Sequence, residues 1–583
     1  DSEISDNIIR DIYQHEKGHI YFATEKGLNV LNTQTGVFKS HQSRNDDLYS
    51  LSDDAVYNVF RDREGGFWIG TYFGGLNYYN EKFSNLEYYY PSGASNSLVG
   101  NAVSAFLKTN DHQIWVGTED AGLNVFNTQD KTFKRYPFSP NQDKLSYHNI
   151  HALYQDKQKN IWVGMYTGGL NILNPQNGAI KRYKSIPNNS STLSDNSVYS
   201  IDEDRQGRIW VSTIAGLNLY NPKDDNFIRM QDKYLQKSCI YQVYQDKKGT
   251  LWIATYDNGL VKMDQSGKTT RFIMNHSNNS ITSNKVISIL DDDKGNLWLG
   301  TDGGGLNVFN INTQKFTDYN EKFGIESDVI YGIIKQNENR FWLSTNKGIY
   351  ELNLKNNSAK NFNKWDNLQS QQYNYKAYLK NDNGKIYFGG IKGFNAFNPN
   401  IIQQNLQKAP IIFTNFQIFN NDVQIGEEGS PLNKSINFTH KISLNHNQSV
   451  ISIEYAQLSF IAPNKTQYAF KMEGFDKEWN KVGTQQKATY TNLPAGSYKF
   501  LVTELNSNSN SFKNPYSLEI EILPPFYKTK LAYFIYFLLF VLLTYLLGNF
   551  FLEKAKSRNE IKLERLKNIN EKEFYKQKIE FFT

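Results

Sequence analysis

Cysteine is almost missing from the sequence: Cys239 is the only one among 583 residues. An intramolecular disulfide and a cysteine-based metal cluster are therefore excluded, and we interpret the thiol as a small apolar side chain within a strand. An excess of one charge is missing too, since 64 Lys and Arg stand against 58 Asp and Glu. This balance leaves no nucleic-acid footprint, so we expect no direct contact with nucleic acid. We also predict no cofactor and no metal site.

The N-terminus shows no signal peptide, because Asp1 is followed by acidic and polar residues. An exported protein needs one, so we expect the natural chain to begin earlier. Aromatic residues, by contrast, are abundant, at 15% of the chain, and there are 39 glycines. Many aromatics and many turn-forming residues indicate a chain built from short strands.

A repeat of about 45 residues dominates the first two thirds of the chain. Its strongest part reads aromatic, aliphatic, small, Thr, a glycine-containing turn, Leu, Asn and an apolar pair, as in WVGTEDAGLNVFN. Four short apolar runs per period are typical of a propeller blade, and the absence of a 3.6-residue apolar spacing excludes a helical solenoid. The nine copies begin at Tyr21, Trp68, Trp115, Trp162, Trp210, Trp252, Trp298, Trp342 and Tyr387.

The residues that recur in the repeat are interpreted as architectural, and none of them is proposed as catalytic. The tryptophans are expected to fill the space between neighbouring twisted sheets. The Asn that follows Leu in six of the nine copies is expected to satisfy backbone groups at a strand edge. These asparagines are Asn29, Asn77, Asn124, Asn171, Asn218 and Asn307.

Nine blades in one ring would be unusual. We therefore predict a closed seven-bladed propeller over residues 91–405, preceded at residues 1–90 by two blades that end an upstream ring. A single ring of eight or nine blades is the alternative.

One face of the predicted propeller is the candidate binding surface. In antiparallel blades, the loop between the second and third strands shares a face with the long polar loop that leads to the next blade, and binding residues concentrate on such loops. Aromatic platforms with interleaved carboxylates suit carbohydrate. The candidate ligand-binding residues are Tyr57, Tyr72, Phe73, Glu119, Asp120, His151, Tyr166, Tyr199, Tyr241, Asp257, Asn258, Asp302 and Tyr331.

A second domain is predicted over residues 410–524. Six alternating β patterns separated by Gly, Pro and Asn turns favour an Ig-like or fibronectin-like β-sandwich. Tyr468, Tyr490 and Tyr498 are interpreted as core and corner residues, and Trp479 is expected to fill the core.

A membrane helix is predicted over residues 531–552, a stretch of 22 residues without charge. Lysines and arginines are in excess on its C-terminal side, which places that side in the cytoplasm and residues 1–530 in the periplasm, with the helix in the inner membrane. Residues 553–583 are rich in helix formers and are interpreted as a cytoplasmic linker helix that begins a dimerisation region. A solvated helix without a partner is the alternative for this segment.

The sandwich sequence YAFKMEGFDKEWNKVGTQQKATYTNLPAGSYKFLV resembles the three-tyrosine (Y_Y_Y) domain, with Tyr468, Tyr490 and Tyr498 as its tyrosines. The blades resemble the two-component-regulator propeller repeat. Together they resemble the periplasmic sensor region of hybrid two-component histidine kinases, over essentially the whole chain. The resemblance implies a kinase that follows this region. This sequence has only nine repeats, which differs from the two seven-bladed propellers usual in that family.

Three functions are weighed. The first is a receptor that binds an oligosaccharide and signals through a homodimeric sandwich–helix stalk to control transcription. The second is a membrane-tethered glycan lyase or glycosidase, for which His148 and His151 are the nearest catalytic candidates, although no acid–base pair stands out. The third is a protein-binding scaffold, which would not need a signalling helix. We predict the first, with no catalytic residue in this chain.

Overall fold

The computed structural model describes residues 3–14, 18–45, 47, 49–80, 85–110, 112–139, 144–275, 277, 279–402, 409–427, 429–461, 466–505 and 515–582. It has two compact units, residues 1–408 with 459–462, and residues 409–458 with 463–583. The polar linker predicted at 400–409 lies mostly outside the described residues, as does Thr583.

Two sheets precede the ring of the first unit. The first has four strands, β1 (Ile9–Tyr13), β2 (His19–Thr24), β3 (Gly27–Asn32) and β4 (Phe38–His41). The second has three, β5 (Val56–Arg61), β6 (Phe67–Thr71) and β7 (Gly75–Tyr79). Whether these sheets end an upstream ring stays a prediction.

Seven four-stranded antiparallel sheets then form the ring, and we number them blades 1 to 7. The strands of blades 1 to 4 are β9 (Val103–Asn110), β10 (Gln113–Thr118), β11 (Gly122–Asn127) and β12 (Thr132–Tyr136); β13 (Ile150–Gln155), β14 (Ile161–Met165), β15 (Gly169–Leu173) and β16 (Ile180–Tyr183); β17 (Val198–Glu203), β18 (Ile209–Thr213), β19 (Gly216–Asn221) and β20 (Asn226–Arg229); and β21 (Ile240–Gln245), β22 (Leu251–Thr255), β23 (Leu260–Met263) and β24 (Thr269–Phe272).

Blades 5 to 7 complete the ring. Their strands are β25 (Val286–Asp291), β26 (Asn296–Thr301), β27 (Leu306–Asn310) and β28 (Lys315–Asp318); β29 (Ile330–Asn337), β30 (Arg340–Thr345), β31 (Gly348–Asn353) and β32 (Ser358–Phe362); and β33 (Tyr373–Lys380), β34 (Ile386–Gly390) and β35 (Gly393–Phe397), with β8 (Leu86–Tyr89) as fourth strand. A short helix α1 (Tyr319–Phe323) follows β28, and a 3-10 helix spans Lys364–Asp366.

Strand β8 closes the ring. It pairs with β35, with Tyr89 opposite Phe394 and Leu86 opposite Phe397. The Asn374 amide also donates to the Val103 carbonyl at 3.0 Å, which joins blade 7 to blade 1. The predicted boundary at residue 91 is thereby corrected, because residues 86–89 belong to the ring and not to the blade that precedes it. In the part of the chain that the structure describes, the closed ring has seven blades and not eight or nine.

The Trp of the repeat is held by a turn six residues earlier. In blade 2, Asp156 accepts a hydrogen bond from the Asn160 backbone N–H at 2.8 Å and another from the Trp162 indole N–H at 2.9 Å. The same indole-to-Asp bond recurs at Trp68, Trp210, Trp252 and Trp298, whereas Trp342 donates to Gln336. The six ring tryptophans are buried. One Asp thus fixes both the tight turn and the large side chain between blades.

The repeat Asn ties its blade to the loop that enters it. The Asn124 side chain accepts from the Val99 N–H at 3.1 Å and donates to the Val99 carbonyl at 3.0 Å. Asn171 and Asn218 accept in the same way from Ser146 and Ser194. The prediction that this side chain satisfies backbone groups is confirmed at these positions.

The second unit contains two packed sheets. One is formed by β36 (Ile411–Ile418), β37 (Asn421–Asp422), β39 (Ile451–Gln457) and β42 (Lys487–Tyr490). The other is formed by β38 (Lys441–Leu444), β40 (Tyr468–Glu473), β41 (Asn480–Gly483), β43 (Gly496–Glu504) and β44 (Tyr516–Ile522). A 3-10 helix spans Ile436–Phe438. Apolar side chains of both sheets share one core, which defines a β-sandwich.

The three tyrosines hold the sandwich in different ways. Tyr468 is buried and its hydroxyl accepts from the Gln457 N–H at 3.0 Å, and Tyr490 is buried and donates to Asp476 at 2.6 Å. Tyr498 is half-buried and donates to the Pro494 carbonyl at 3.0 Å, which is a corner contact. Trp479 is half-buried and lies outside the core cluster, so its predicted core role is wrong.

The chain ends in one long helix. After a 3-10 turn at Phe526–Lys528, helix α2 runs over Lys530–Phe582, and it contains the predicted apolar span and residues 553–582 of the predicted linker helix. Among the described residues it is the one helix long and apolar enough to cross a membrane. The predicted fold class is confirmed: a mostly β chain with four-stranded propeller blades, a β-sandwich and a candidate membrane helix.

Candidate ligand-binding site

The innermost strand of each blade carries a β-bulge after its first residue. In β13, Ile150 lies opposite Met165 and Ala152 lies opposite Gly164, so His151 is an extra residue. A bulge re-aims the side chain that it carries. The equivalent extra residues in the other ring blades are Ser104, Tyr199, Tyr241, Ile287 and Tyr331. Three tyrosines and a histidine thus occupy equivalent places around the ring.

Blade 7 has a larger bulge than the others. Tyr373 lies opposite Gly390 and Tyr378 lies opposite Phe388, so the four residues 374–377 face one. Lys376, within this segment, has a left-handed backbone with φ of 56°, a conformation that costs a non-glycine residue energy. The longer bulge carries Tyr375 to blade 2, where its hydroxyl lies 2.5 Å from Nδ1 of His151.

The result is an aromatic cluster that joins four blades. We call His151, Tyr166, Tyr199, Tyr241 and Tyr375 the central cluster. The Tyr375 ring stacks on that of Tyr199 at 5.7 Å and meets that of Tyr241 edge-on at 5.0 Å. His151 stacks on Tyr166 at 5.6 Å and meets Tyr199 edge-on at 4.9 Å. Tyr166 is exposed, and it lies in the loop between β14 and β15 on the predicted binding face.

An ion pair lies directly beside the cluster. The Lys376 ammonium donates to the Ser200 hydroxyl and lies 3.4 Å from an Asp202 carboxylate oxygen. The other Asp202 oxygen accepts from the Val243 N–H at 3.1 Å and from the Ser200 hydroxyl. The Lys376 and Asp202 side chains are only 16% and 19% exposed. This network fixes the blade 7 bulge against blades 3 and 4.

Carboxylates surround the cluster. Asp302 accepts from the Tyr256 hydroxyl at 3.1 Å and lies 3.7 Å from the Lys285 ammonium, and the Tyr256 ring lies 5.7 Å from that of Tyr241. Burial, and then the neighbouring Asp120, raise the pKa of the Glu119 carboxyl. Burial raises the pKa of Tyr199 to about 12, so its hydroxyl remains a hydrogen-bond donor at neutral pH. The site thus offers aromatic faces, hydroxyl donors and carboxylate acceptors.

The structure brings together some of the predicted residues and separates others. His151, Tyr166, Tyr199 and Tyr241 belong to the central cluster, and Asp302 lies at its edge through Tyr256. Asp120 instead accepts from the Asn101 and Ala102 N–H groups, and Asp257 accepts from the Ser238 hydroxyl. The Phe73 ring is mostly exposed, and the side-chain amide of Asn258, in a loop, donates to the Tyr234 carbonyl.

Three of the predicted tyrosines lie elsewhere. Tyr331 packs against an apolar cluster between blades 6 and 7. Tyr57 and Tyr72 stack on each other at 5.2 Å in the three-stranded sheet that precedes the ring. The two histidines of the catalytic alternative have different surroundings. His148 lies against Phe138 and Tyr147, whereas His151 lies in the central cluster.

Sequence reasoning missed Tyr375 and Lys376, although the sequence carries a signal for them. In the other six ring blades the aromatic residue of the second strand comes 12 positions after the first residue of the inner strand, as from Ile150 to Trp162. In blade 7 the interval from Tyr373 to Tyr387 is 14. Two inserted residues in an inner strand indicate an enlarged bulge.

Burial lowers the pKa of His151 to about 4. In the unfolded chain the pKa of a histidine is about 6.5, so the unfolded chain binds the proton first as the pH falls. The free energy of unfolding therefore decreases from about pH 6.5 down to about pH 4, by about 1.4 kcal/mol per pH unit. We expect a loss of about 2 kcal/mol between about pH 7.5 and about pH 5 from this group. His151→Asn keeps an acceptor for Tyr375, and denaturant unfolding at both pH values should show that loss removed. An identical pH dependence in both proteins would contradict it.

No group of three or more His, Cys, Asp or Glu side chains is placed to hold a metal ion in the part of the chain that the structure describes. The central cluster consists of aromatic rings and hydroxyl groups, which suit an organic ligand. Its ring faces suit the C–H faces of a sugar, and its hydroxyl and carboxylate groups suit the sugar hydroxyls.

Comparison with known proteins identifies both kinds of module. Residues 459–523 match the Y_Y_Y domain family. Five segments match the two component regulator propeller family, at 50–73, 144–167, 192–215, 234–257 and 280–303. Four of these segments contain the first two strands of a ring blade, and residues 50–73 contain the first two strands of the three-stranded sheet that precedes the ring. The chain thus carries two-component-regulator propeller repeats followed by a Y_Y_Y domain.

Two known proteins are similar to this chain over about two thirds of its length or more. "Histidine kinase P4" of Formosa agariphila is 28% identical over 398 residues, 67% of this chain, and the match spans 29% of that protein's own length. The crystal structure of the extracellular domain of a protein described as a hybrid two component system, from B. thetaiotaomicron, is 25% identical, with a TM-score of 0.75 over 88% of this chain and 68% of that one. The resemblance to the sensor region of hybrid two-component proteins is confirmed, and one candidate membrane helix agrees with a single-pass membrane protein.

Proposed function

We propose that this chain is the ligand-sensing region of a hybrid two-component receptor and that it binds an oligosaccharide at the central cluster. The observation that carries the proposal is the convergence of His151, Tyr199, Tyr241 and Tyr375 from four blades of one ring. A fold needs only space-filling side chains there. Instead the cluster presents several polar aromatic groups beside carboxylates, the chemistry with which proteins bind sugars.

The remaining parts of the proposal concern the membrane. Six lysines and arginines lie within residues 553–567, against Lys528 and Lys530 on the other side of the apolar span. This asymmetry supports a periplasmic sensor and a cytoplasmic continuation across the inner membrane. We further propose that helix α2 pairs with the same helix of a second copy, and that ligand binding favours one arrangement of the pair by a few kcal/mol. In the whole protein, the kinase would follow this helix along the chain.

The test uses the full chain in lipid nanodiscs and a panel of neutral and acidic oligosaccharides. A ligand at 100 times its dissociation constant should stabilise the protein by about 2.7 kcal/mol. We expect a selective rise in unfolding temperature for one glycan family, and calorimetry should show at least tenfold weaker binding by Tyr199→Ala.

Tyr57→Ala is the matched control. Tyr57 is a bulge tyrosine of the same repeat position but lies outside the ring, so its variant should bind as the unaltered chain does. No response to any glycan would overturn the carbohydrate proposal and favour a protein ligand. Equal weakening by both substitutions would overturn the placement of the site.

A further inference from the structure

The groove between blades 2 and 3 contains an open cavity of about 630 Å³, within the size range of ligand pockets. It includes the turns that join the first and second strands, at Asp156–Asn160 and Gln206–Gly207. Because successive loops of an antiparallel blade alternate between faces, these turns lie on the face opposite to the loop of Tyr166. The cavity is therefore separate from the central cluster.

One position distinguishes this groove from the others of the ring. In each blade, one residue of the third strand lies opposite the residue that precedes the repeat aromatic of the second strand. Its side chain packs between blades, against the repeat aromatic of the preceding blade. It is apolar and buried in six ring blades and is a half-buried tyrosine, Tyr220, in blade 3. The six apolar residues are Phe126, Leu173, Met263, Phe309, Leu352 and Phe397.

Tyr220 belongs to an organised polar network. Its hydroxyl and that of Tyr183 both donate to one oxygen of Asp225, at 2.8 and 2.5 Å, and the Lys181 ammonium pairs with the other oxygen. Burial opposes ionisation of Asp225, but hydrogen bonds from Lys181, Tyr183 and Tyr220 outweigh it and lower the pKa of this carboxyl. The acceptor is therefore charged at neutral pH, and both hydroxyls point toward it.

A second polar network in the cavity has the same arrangement. The Tyr154 hydroxyl donates to Glu203 at 2.6 Å, and the Lys157 ammonium lies 3.1 Å from the same carboxylate. The Trp162 ring, which also lines the cavity, meets the Tyr220 ring edge-on at 5.0 Å. Each carboxylate is thus neutralised by a lysine whose side chain is more than half exposed at the rim. The cavity combines aromatic rings with polar groups that are already paired with one another.

We propose that this cavity is a second binding site, for one or two neutral sugar units of a longer glycan. A tyrosine ring takes the C–H face of the sugar, and Glu203, which lines the cavity, accepts hydrogen bonds from its hydroxyls. A sulfated or uronic ligand is disfavoured, because Asp156 and Glu203 line the cavity and the lysines at its rim are already paired with carboxylates. The site is separate from the central cluster, and this proposal does not depend on the proposal that the central cluster binds an oligosaccharide.

The test measures binding of maltotriose, cellotriose, xylotriose and mannotriose to the full chain in nanodiscs by saturation-transfer NMR, at concentrations up to about 10 mM, well above a dissociation constant of ~1 mM. The decisive variant is Tyr183→Met with Tyr220→Met. It copies Met230 and Met263, which occupy the equivalent positions in the groove between blades 3 and 4, so the ring should fold. We expect one trisaccharide to bind saturably, and at least tenfold more weakly to the double variant.

Two variants serve as controls. Tyr136→Met makes the same exchange as Tyr183→Met at the equivalent position of blade 1, and Tyr199→Ala removes a ring of the central cluster. Tyr136→Met should leave the binding unchanged, and Tyr199→Ala should leave intact the part of the binding that the double variant loses. The proposal is overturned if none of the four trisaccharides binds, if the double variant binds as tightly as the unaltered chain, or if Tyr199→Ala abolishes the signal.

Discussion

Trp298→Ala should lower the free energy of unfolding of the ring by about 3–5 kcal/mol. The Trp298 side chain is 1% exposed and stacks on Phe341 of the next blade with ring centroids 3.9 Å apart. Truncation leaves a cavity between two blades that are fixed by the rest of the ring, so the space cannot collapse. It also leaves Asp292 without the indole N–H. Denaturant unfolding followed by tryptophan fluorescence and circular dichroism would measure the loss.

Trp68→Ala is the matched comparison. Trp68 has the same place in the repeat and the same indole-to-Asp bond, but it is half-buried in the three-stranded sheet outside the ring. We expect a smaller loss of stability, and one that leaves the ring's unfolding transition in place. Equal losses at the two positions would show that burial between ring blades is not what Trp298 contributes.

The repeat made the blades predictable because its determinants are local. The Asp that begins a tight turn, the Trp six positions later and the Asn of the third strand each act within one blade or on its entering loop, as Asp156, Trp162 and Asn171 do. Strand β8 could not be assigned in this way. Its partner β35 follows about 300 residues later, and its sequence LEYY fits the end of the preceding blade equally well. Ring closure, not local pattern, decides its pairing.

The candidate site was predictable only in part, for a related reason. The bulge tyrosines share a register position, so His151, Tyr199 and Tyr241 could be selected from the repeat. Loop carboxylates could not be sorted, because Asp in a tight loop accepts backbone N–H groups as readily as it binds a ligand, and Asp120 does the former. Tyr375 comes from the one blade whose inner strand breaks the repeat, so the pattern gave no equivalent position for it.

Asp202→Ala should destabilise the ring by about 3–5 kcal/mol, the range for removing one partner of a largely buried ion pair. The variant leaves the Lys376 ammonium beside Ser200 with no carboxylate, and it leaves the Val243 N–H without its acceptor. Adding Lys376→Met removes the uncompensated charge, so the double variant should recover more than half of the loss. Denaturant unfolding of the four proteins of this double-mutant cycle would give the coupling energy directly.

The same cycle connects stability to ligand recognition. Lys376 adjoins Tyr375 in the enlarged bulge, and Tyr375 is the residue that joins His151 to Tyr199 and Tyr241. If the ion pair holds the bulge in its strained backbone conformation, Asp202→Ala should weaken binding at the central cluster even under conditions where the ring stays folded. Binding at the groove between blades 2 and 3 should not change. Additive effects of the two substitutions would instead mean that blade packing alone positions Tyr375, since independent sites contribute independently to stability.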